Sequence, residues 1–258
     1  MADLYANWAA LAAANAAGVD YQLIVQPTSV TATTHIAIHG GAIEGGTGEL
    51  AQAVSAKLGQ SMYVMKAIRP TNNTDLHITS THFDEPQCVA MQAKATRTIS
   101  YHGAEGVTDD GTTLVTYIGG LDTNLKSAIG AALTAAGFTV NYDPNSTIAG
   151  VDPTNICNRN ASGMGVQLEM TNALRASFFP GGTNVAASRN DYTQRTAAFY
   201  AYADAVASAV GVEAKANSSQ YWNGTAWVAG TPQVYTGALW RPNVPLYWDG
   251  TQWRLSAT

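Results

Sequence analysis

Charge is scarce in this chain. Lys and Arg number 13 against 18 Asp and Glu, a net of −5, and charged residues make up only 12%. No stripe of Lys and Arg supplies the electrostatic footprint of a nucleic-acid binder, so no nucleic-acid partner is expected. Cysteine is scarcer still: Cys88 and Cys157 stand alone, with no Cys-x-x-Cys spacing. That removes thiolate zinc sites and thioredoxin-type redox chemistry. Two free buried thiols are expected in preference to a bridge, because free Cys is among the most buried residue types. No run of 18 apolar residues occurs, so no membrane span is expected. Met1-Ala2-Asp3-Leu4-Tyr5 lacks a basic stretch followed by an apolar run, so no signal peptide is expected either.

Familiar nucleotide and nucleophile motifs are missing too. There is no Gly-x-x-x-x-Gly-Lys-[Ser/Thr] phosphate loop and no Gly-x-Ser-x-Gly elbow. The glycines between Gly40 and Gly48 do not fit a dinucleotide fingerprint.

Hydrophobic residues, at 46%, are enough for a sizeable core, and charge is too scarce for disorder. Short β-branched runs predict strands at 21–25, 33–39, 62–67, 76–81, 97–101, 114–118, 138–142 and 165–169. Helical spacing of Leu4, Trp8, Leu11 and Ala12 opens the chain. Further helices are predicted from a Thr47 cap through Leu58, over 86–95, from Asp122 to a stop at Gly137, and from about Asp191 to Val210. Strands alternating with helices predict an α/β fold, a mostly parallel sheet covered on both faces.

After Gly211 the texture changes, giving expected domains of 1–212 and 213–258 with a linker from Glu213 to Ser219. The second domain holds most of the six Trp and two copies of one pattern. These are Tyr221-Trp222-Asn223-Gly224-Thr225-Ala226-Trp227 and Tyr247-Trp248-Asp249-Gly250-Thr251-Gln252-Trp253, 26 residues apart (221 to 247). Asn-Gly and Asp-Gly between aromatic flanks predict β-hairpins, hence a small duplicated β unit. The Trp residues form either the core of that unit or an aromatic binding surface.

Five His occur: His35, His39, His77, His82 and His102. Sites in parallel α/β sheets form beyond the carboxyl ends of strands. His39, His82 and His102 fall at predicted strand ends, and His35 and His77 at predicted strand starts, the far edge. In His39-Gly40-Gly41-Ala42-Ile43-Glu44 a glycine turn lets the chain fold back, so that Glu44 approaches an ion bound by His39. His102 would complete two imidazoles and a carboxylate, leaving a fourth position open as catalytic zinc requires. The residues alone leave this reading beside a plainer one, structural histidines and a solvated Glu. Glu169 ends an apolar strand, where a carboxylate is costly unless paired or working. It is either a general base or the partner of Arg175. Arg159 is either a clamp for a substrate carboxylate or a surface ion-pair residue.

The ordered blocks resemble one family. His39-Gly40-Gly41-Ala42-Ile43-Glu44-Gly45-Gly46-Thr47-Gly48-Glu49-Leu50 is similar to the opening motif of phage-type poly-γ-glutamate hydrolases. Leu76 to Pro86, Ser100-Tyr101-His102-Gly103, Asn155-Ile156-Cys157-Asn158-Arg159 and Gly165-Val166-Gln167-Leu168-Glu169 resemble later blocks in the same order. The resemblance covers roughly residues 4–212 and implies a zinc carboxypeptidase-like fold around a mixed sheet. It implies one zinc ion on His39, Glu44 and His102, with Glu169 as base and Arg159 as an anion-binding residue; His82 and Asn158 are the further expected substrate contacts. The His-x-x-x-x-Glu spacing departs from the His-x-x-Glu usual in carboxypeptidases, so the Glu44 assignment rests on the phage family.

The implied activity is hydrolysis of γ-glutamyl amide bonds in anionic poly-γ-glutamate, as a capsule depolymerase. Alternatives are a zinc amidase acting on peptidoglycan or short γ-glutamyl peptides, and a non-catalytic virion or cell-surface-binding protein. The expected setting is synthesis in a host cytoplasm and action outside it, after lysis or aboard the virion. The aromatic repeats lie outside the resemblance, with a cell-surface or virion component as their expected ligand.

Overall fold

The computed structural model describes residues 3–26, 31–104, 110–142 and 148–211, together with six short strands beyond them. The chain divides into two compact units, Met1–Glu213 and Ala214–Thr258.

In the first unit seven strands form one sheet: β1 (Tyr21–Gln26), β2 (Thr33–Gly41), β3 (Ser61–Ala67), β4 (Arg97–Gly103), β5 (Val115–Gly119), β6 (Thr139–Asn141) and β7 (Val166–Met170). Their order is β1-β3-β2-β4-β7-β5-β6. β3, β2, β4 and β7 run parallel to one another and β6 parallel to β5, while β1 and β5 are antiparallel to β3 and β7. The sheet is mixed, and every residue of β2 is buried, as a central strand covered on both faces must be.

Strand alternation sorts the core into two layers. Ala37, Met62, Val64, Ile99, Tyr101 and Leu168 pack against α2 (Thr47–Leu58), α4 (Thr123–Ala135) and α7 (Ala197–Val210). Ile36, Ile38, Tyr63 and Met65 face the other way, under α1 (Trp8–Ala14) and α3 (Pro86–Gln92). Shorter helices α5 (Asn172–Ser177) and α6 (Ala186–Asn190) follow β7. Among the described residues no helix is long and apolar enough to cross a membrane. Cys88 and Cys157 are free, buried thiols.

Three local expectations are corrected. The 76–81 segment is no strand: a short 3₁₀ turn over Asn73–Leu76 leads into a loop. Its alternating Leu76 and Ile78 are buried, but its backbone bonds to loops and side chains instead of a ladder, with Thr79 N donating to Asp3 and Ile156 N to Ser80 O. Gly46, at φ 105°, caps α2, and Thr47 lies inside the helix with its hydroxyl on Glu44 O. The last helix begins at Ala197 because Asp191 binds Thr193 and Gln194 in a turn of its own, and Thr196 takes the cap.

The second unit holds three antiparallel strand pairs: β8 (Gln220–Trp222) with β9 (Trp227–Ala229), β10 (Gln233–Tyr235) with β11 (Trp240–Pro242), and β12 (Leu246–Trp248) with β13 (Trp253–Leu255). The pairs close on Trp222↔Trp227, Tyr235↔Trp240 and Trp248↔Trp253. The repeat is therefore threefold, stepping 13 residues (222, 235, 248), and not a doublet at 26. The middle copy has a weak sequence signal, because Tyr235-Thr236-Gly237 carries neither the leading Trp nor an Asn-Gly or Asp-Gly pair. The expected turns at Asn223-Gly224 and Asp249-Gly250, and the Glu213 to Ser219 linker, lie outside the described residues.

Candidate active site

A cleft of about 730 Å³ opens at the carboxyl ends of the parallel strands. His39, Glu44, His77, His102, Gln167 and Glu169 line it, with loop residues from 79–81 and 150–153.

His39 reaches this cleft through an irregularity. Ala37 pairs with Val64 and Gly40 with Lys66, so β2 spends one residue more than β3 over that interval. Strict alternation would send His39 to the side of Ala37. The bulge turns it instead toward the face of Met65, where His102 and Glu169 project. Gly40 and Gly41 are required for the turn that follows. A Cβ on Gly40 would lie 2.7 Å from a Val64 methyl, and Gly41 adopts φ 70° with Ala67 O at 2.2 Å from any added Cβ. Glu44 N then closes onto His39 O at 2.9 Å, bringing the carboxylate back beside the imidazole.

Three donor atoms converge. His39 Nδ1 lies 2.8 Å from Glu44 Oε1 and 3.2 Å from His102 Nδ1, and His102 Nδ1 lies 3.5 Å from Glu44 Oε2. The outer atoms explain the orientation. His39 Nε2 donates to Ile78 O at 2.9 Å, His102 Nε2 meets Ser100 Oγ at 2.8 Å, and Gly103 N donates to Glu44 Oε2 at 2.9 Å. With Nε2 carrying the proton, neutral His39 presents a bare Nδ1 lone pair to a carboxylate and to a second Nδ1. Lone pairs held this close need a proton or a cation between them. Burial opposes a charge on His39, but the Glu44 carboxylate outweighs it and holds the imidazole pKa above its ordinary value. Glu44 itself is held well below the carboxylate range by His39 and His102, against the effect of burial. Two imidazoles, one carboxylate and an open cleft side fit a catalytic zinc ion, with outer hydrogen bonds fixing each ligand.

Ligand atoms of His39, Glu44 and His77 also lie within 4.8 Å of one another. The His77 ring, however, stacks on His39 with centroids 4.1 Å apart and 29° between planes, so its in-plane lone pair runs beside that of His39 and does not meet it. Its Nδ1 is engaged by Asp3 Oδ1 at 2.7 Å. His102 stands edge-on to His39 at 72° and completes the donor set. His77 packs behind the ligand and lines the cleft, where sequence had set it at the far edge.

Glu169 pairs in register with His102 on the neighbouring strand. It does not bridge to Arg175, whose guanidinium donates to Met170 O and Gly45 O. Its Oε1 accepts from Gln167 Nε2 at 2.6 Å, and Asn155 Nδ2 donates to Gln167 Oε1 at 2.9 Å, which fixes the glutamine amide. Burial raises the Glu169 pKa, and Glu44 adds to the rise while His102 opposes it. A buried carboxylate poised to accept a proton beside a cation site is the equipment of metal-assisted hydrolysis.

The other expected contacts are not brought to the cleft. The Asn158 amide donates to Gly150 O and Asp152 O and accepts from Gly165 N, so it clamps a loop and has no donor left for a substrate carboxylate. Arg159 donates to Phe83 O. His82 is exposed, 3.8 Å from Asp3. His77, Asn155 and Gln167 were missed. Gln167 carried a signal: a polar residue two positions before Glu169, on the same face of a buried strand.

The chain is similar to several known proteins. Residues 5–205 match the family model for poly-gamma-glutamate hydrolase. Three curated Bacillus subtilis (strain 168) proteins are similar. The SPbeta prophage-derived protein YoqZ is 38% identical over 65% of this chain and 57% of its own length. YndL is 36% identical over 62% of this chain and 61% of its own. YmaC is 30% identical over 79% and 82%. The match thus spans about three fifths of the first two relatives, at 57% and 61%. Among solved structures, a bacteriophage poly-gamma-glutamate hydrolase superposes with TM-score 0.75 at 37% identity, covering 81% of this chain and 97% of that one. A zinc-free apo form of YndL gives 0.70 at 29%, covering 81% and 98%. With the family model matched over 5–205, the unit that holds the donor set and Glu169, the chain belongs to the poly-γ-glutamate hydrolase family.

Proposed function

We propose that this chain is a zinc-dependent hydrolase of γ-glutamyl amide bonds in poly-γ-glutamate, holding one ion on His39, Glu44 and His102. The observation that carries the reading is the convergence of two imidazole Nδ1 atoms and a carboxylate within 3.5 Å, beside a buried glutamate in one cleft. The zinc-free apo form of YndL supports the choice of metal. When bound, the ion supplies Lewis-acid chemistry, polarising the scissile carbonyl and lowering the pKa of an attacking water.

The protein's own groups do the rest. Glu169 takes the proton of that water at Oε2, because Oε1 is engaged by Gln167. It then delivers the proton to the departing amine nitrogen, so the amide C–N bond breaks as the new C–O bond forms. Ser100 and Ile78 hold the two imidazoles so that both present Nδ1 to the cleft. The polymer's source would be a bacterial capsule, reached outside the producing cell after lysis or aboard a virion.

The test is digestion of poly-γ-glutamate beside peptidoglycan, with and without chelation and zinc restoration. Polymer cleavage that follows zinc supports the reading. Cleavage of peptidoglycan alone makes the chain a different amidase, and metal-indifferent activity removes the ion from the mechanism.

A further inference from the structure

A second cavity, of about 440 Å³, adjoins the cleft. Ile43 and Gly45, on either side of Glu44, line it, as does Ala104, just past His102 and Gly103. The two cavities therefore share the backbone that carries two of the three metal-binding side chains. Both open where the parallel strands end: Arg69 follows β3 and Asn172 follows β7.

Their charge differs sharply. Glu44, Asp152 and Glu169 line the cleft, whereas Arg69, Arg175 and Arg189 line the second cavity, with no carboxylate among its described lining residues. That concentrates three guanidiniums in a chain holding only 13 Lys and Arg. Arg69 is held by Asp20 at 2.8 Å and Asp75 at 3.7 Å, with Asn15 Oδ1 accepting from Nη2. Arg175 packs its guanidinium under Gly103, where an added Cβ would sit 2.5 Å from Cζ. Arg189 is the telling member, only 3% exposed. Its Nε donates to Asn184 O and its Nη1 to Glu49, while Nη2 donates to none of the described residues. A buried guanidinium edge facing a cavity is built for a planar anion.

We infer that this second cavity is a carboxylate subsite for the polymer, in which Arg189, with Arg69 and Arg175, receives α-carboxylates of γ-linked glutamate residues flanking the scissile bond. The inference rests on the proposed function, since it supplies the fixed cations that a polymer with one α-carboxylate per residue needs beside a metal site. Arg159, which the family resemblance implied for this role, bonds Phe83 O, and the second cavity takes that part over.

Two variants test it without cutting into the core. Val185 lines the mouth and is 55% exposed, so Val185→Glu sets a carboxylate at the entrance without removing a hydrogen bond. Arg189→Lys keeps the charge opposite Glu49 and loses the fork. Each is placed in a Glu169→Gln background, and binding of a fluorescent γ-linked glutamate oligomer is titrated by anisotropy against zinc-loaded protein. Unmodified zinc-loaded protein is assayed for polymer cleavage in parallel, and thermal melts confirm folding. We expect Val185→Glu to raise Kd at least tenfold and Arg189→Lys at least threefold, with a shallower salt dependence for Val185→Glu. Binding within twofold of the parent in both variants overturns the subsite, even where the wild type cleaves the polymer. A parent that binds, variants that do not, and a wild type that leaves the polymer intact would uphold the subsite and defeat the hydrolytic reading. A parent that fails to bind defeats both.

Discussion

Gln167 Nε2 donates to Glu169 Oε1 across 2.6 Å, from two residues earlier on the same face of β7. That bond fixes the carboxylate in the cleft, and Oε2 is the oxygen that carries no such bond among the described residues. Glu169→Gln should therefore keep zinc stoichiometry and lower kcat by about 10²–10⁴, the usual contribution of general acid–base catalysis. Metal analysis beside turnover checks this, and near-normal turnover would remove Glu169 from the mechanism.

His39→Ala and His102→Ala should each lose bound zinc and activity together, because two protein ligands rarely retain a catalytic zinc. Zinc titration of the purified variants decides the matter. Full occupancy in either one would reassign that position, with His77 next in line as ligand.

Arg159→Ala should cost stability and not substrate preference. Its guanidinium bonds a loop carbonyl, Phe83 O, and a lost buried partner costs about 1–3 kcal/mol. The measurement is the urea midpoint together with the ratio of rates on poly-γ-glutamate and on an uncharged amide polymer. A selective loss on the charged polymer would return Arg159 to the binding site.

Ending the chain at Glu213, where the first compact unit closes, should leave hydrolysis of a short soluble substrate within about threefold of the full chain. An unfolded or inert product would mean that the threefold aromatic repeat completes the catalytic unit.

His35 provides a pH test away from the cleft. It is fully buried, with Nε2 donating to Gln60 Oε1 at 2.8 Å and Nδ1 accepting from Tyr101 at 2.9 Å. Burial lowers its pKa from 6.5 to about 4. Between those values the unfolded chain binds the proton and the folded one refuses it, so stability rises with pH across the window. The contribution, on the order of 3 kcal/mol, is present above pH 6.5 and lost as pH falls toward 4. Denaturant midpoints at pH 4.5 and 7 should differ less in His35→Gln than in wild type. An equal difference in both proteins would assign the dependence elsewhere.

Much of this was readable from residue order. Alternation within β2, β4 and β7 and the caps of α4 carry strong local signals, and the His39 to Glu44 turn is written in its glycines. What sequence misplaced depended on partners it does not contain. His77 reads as the start of a strand because Leu76 and Ile78 are both apolar, yet tertiary bonds to Asp3 and Ile156 pull that segment into a loop behind His39. Arg159 and Asn158 have the right chemistry for an anion, but neither lines the cleft: Arg159 reaches Phe83 O, and Asn158 gives its amide hydrogens to Gly150 and Asp152. Arg189, far along the chain in a helix of five residues, offers no motif. Only the fold shows that it lines a cavity with Arg69 and Arg175.

The extra residue in β2 has a consequence for how this site can be lost or gained. The donor set depends on strand length as much as on side-chain identity. Adding one residue to β3 between Val64 and Lys66 would let β2 and β3 pair without interruption and swing the imidazole round onto Leu50 and Val54. Such a chain would keep a histidine beside its double glycine and have a more regular sheet, yet it would bind no ion. A search on the His-Gly-Gly motif alone would therefore gather metal-binding and metal-free sheets together. The length of β2 set against that of β3 separates the two.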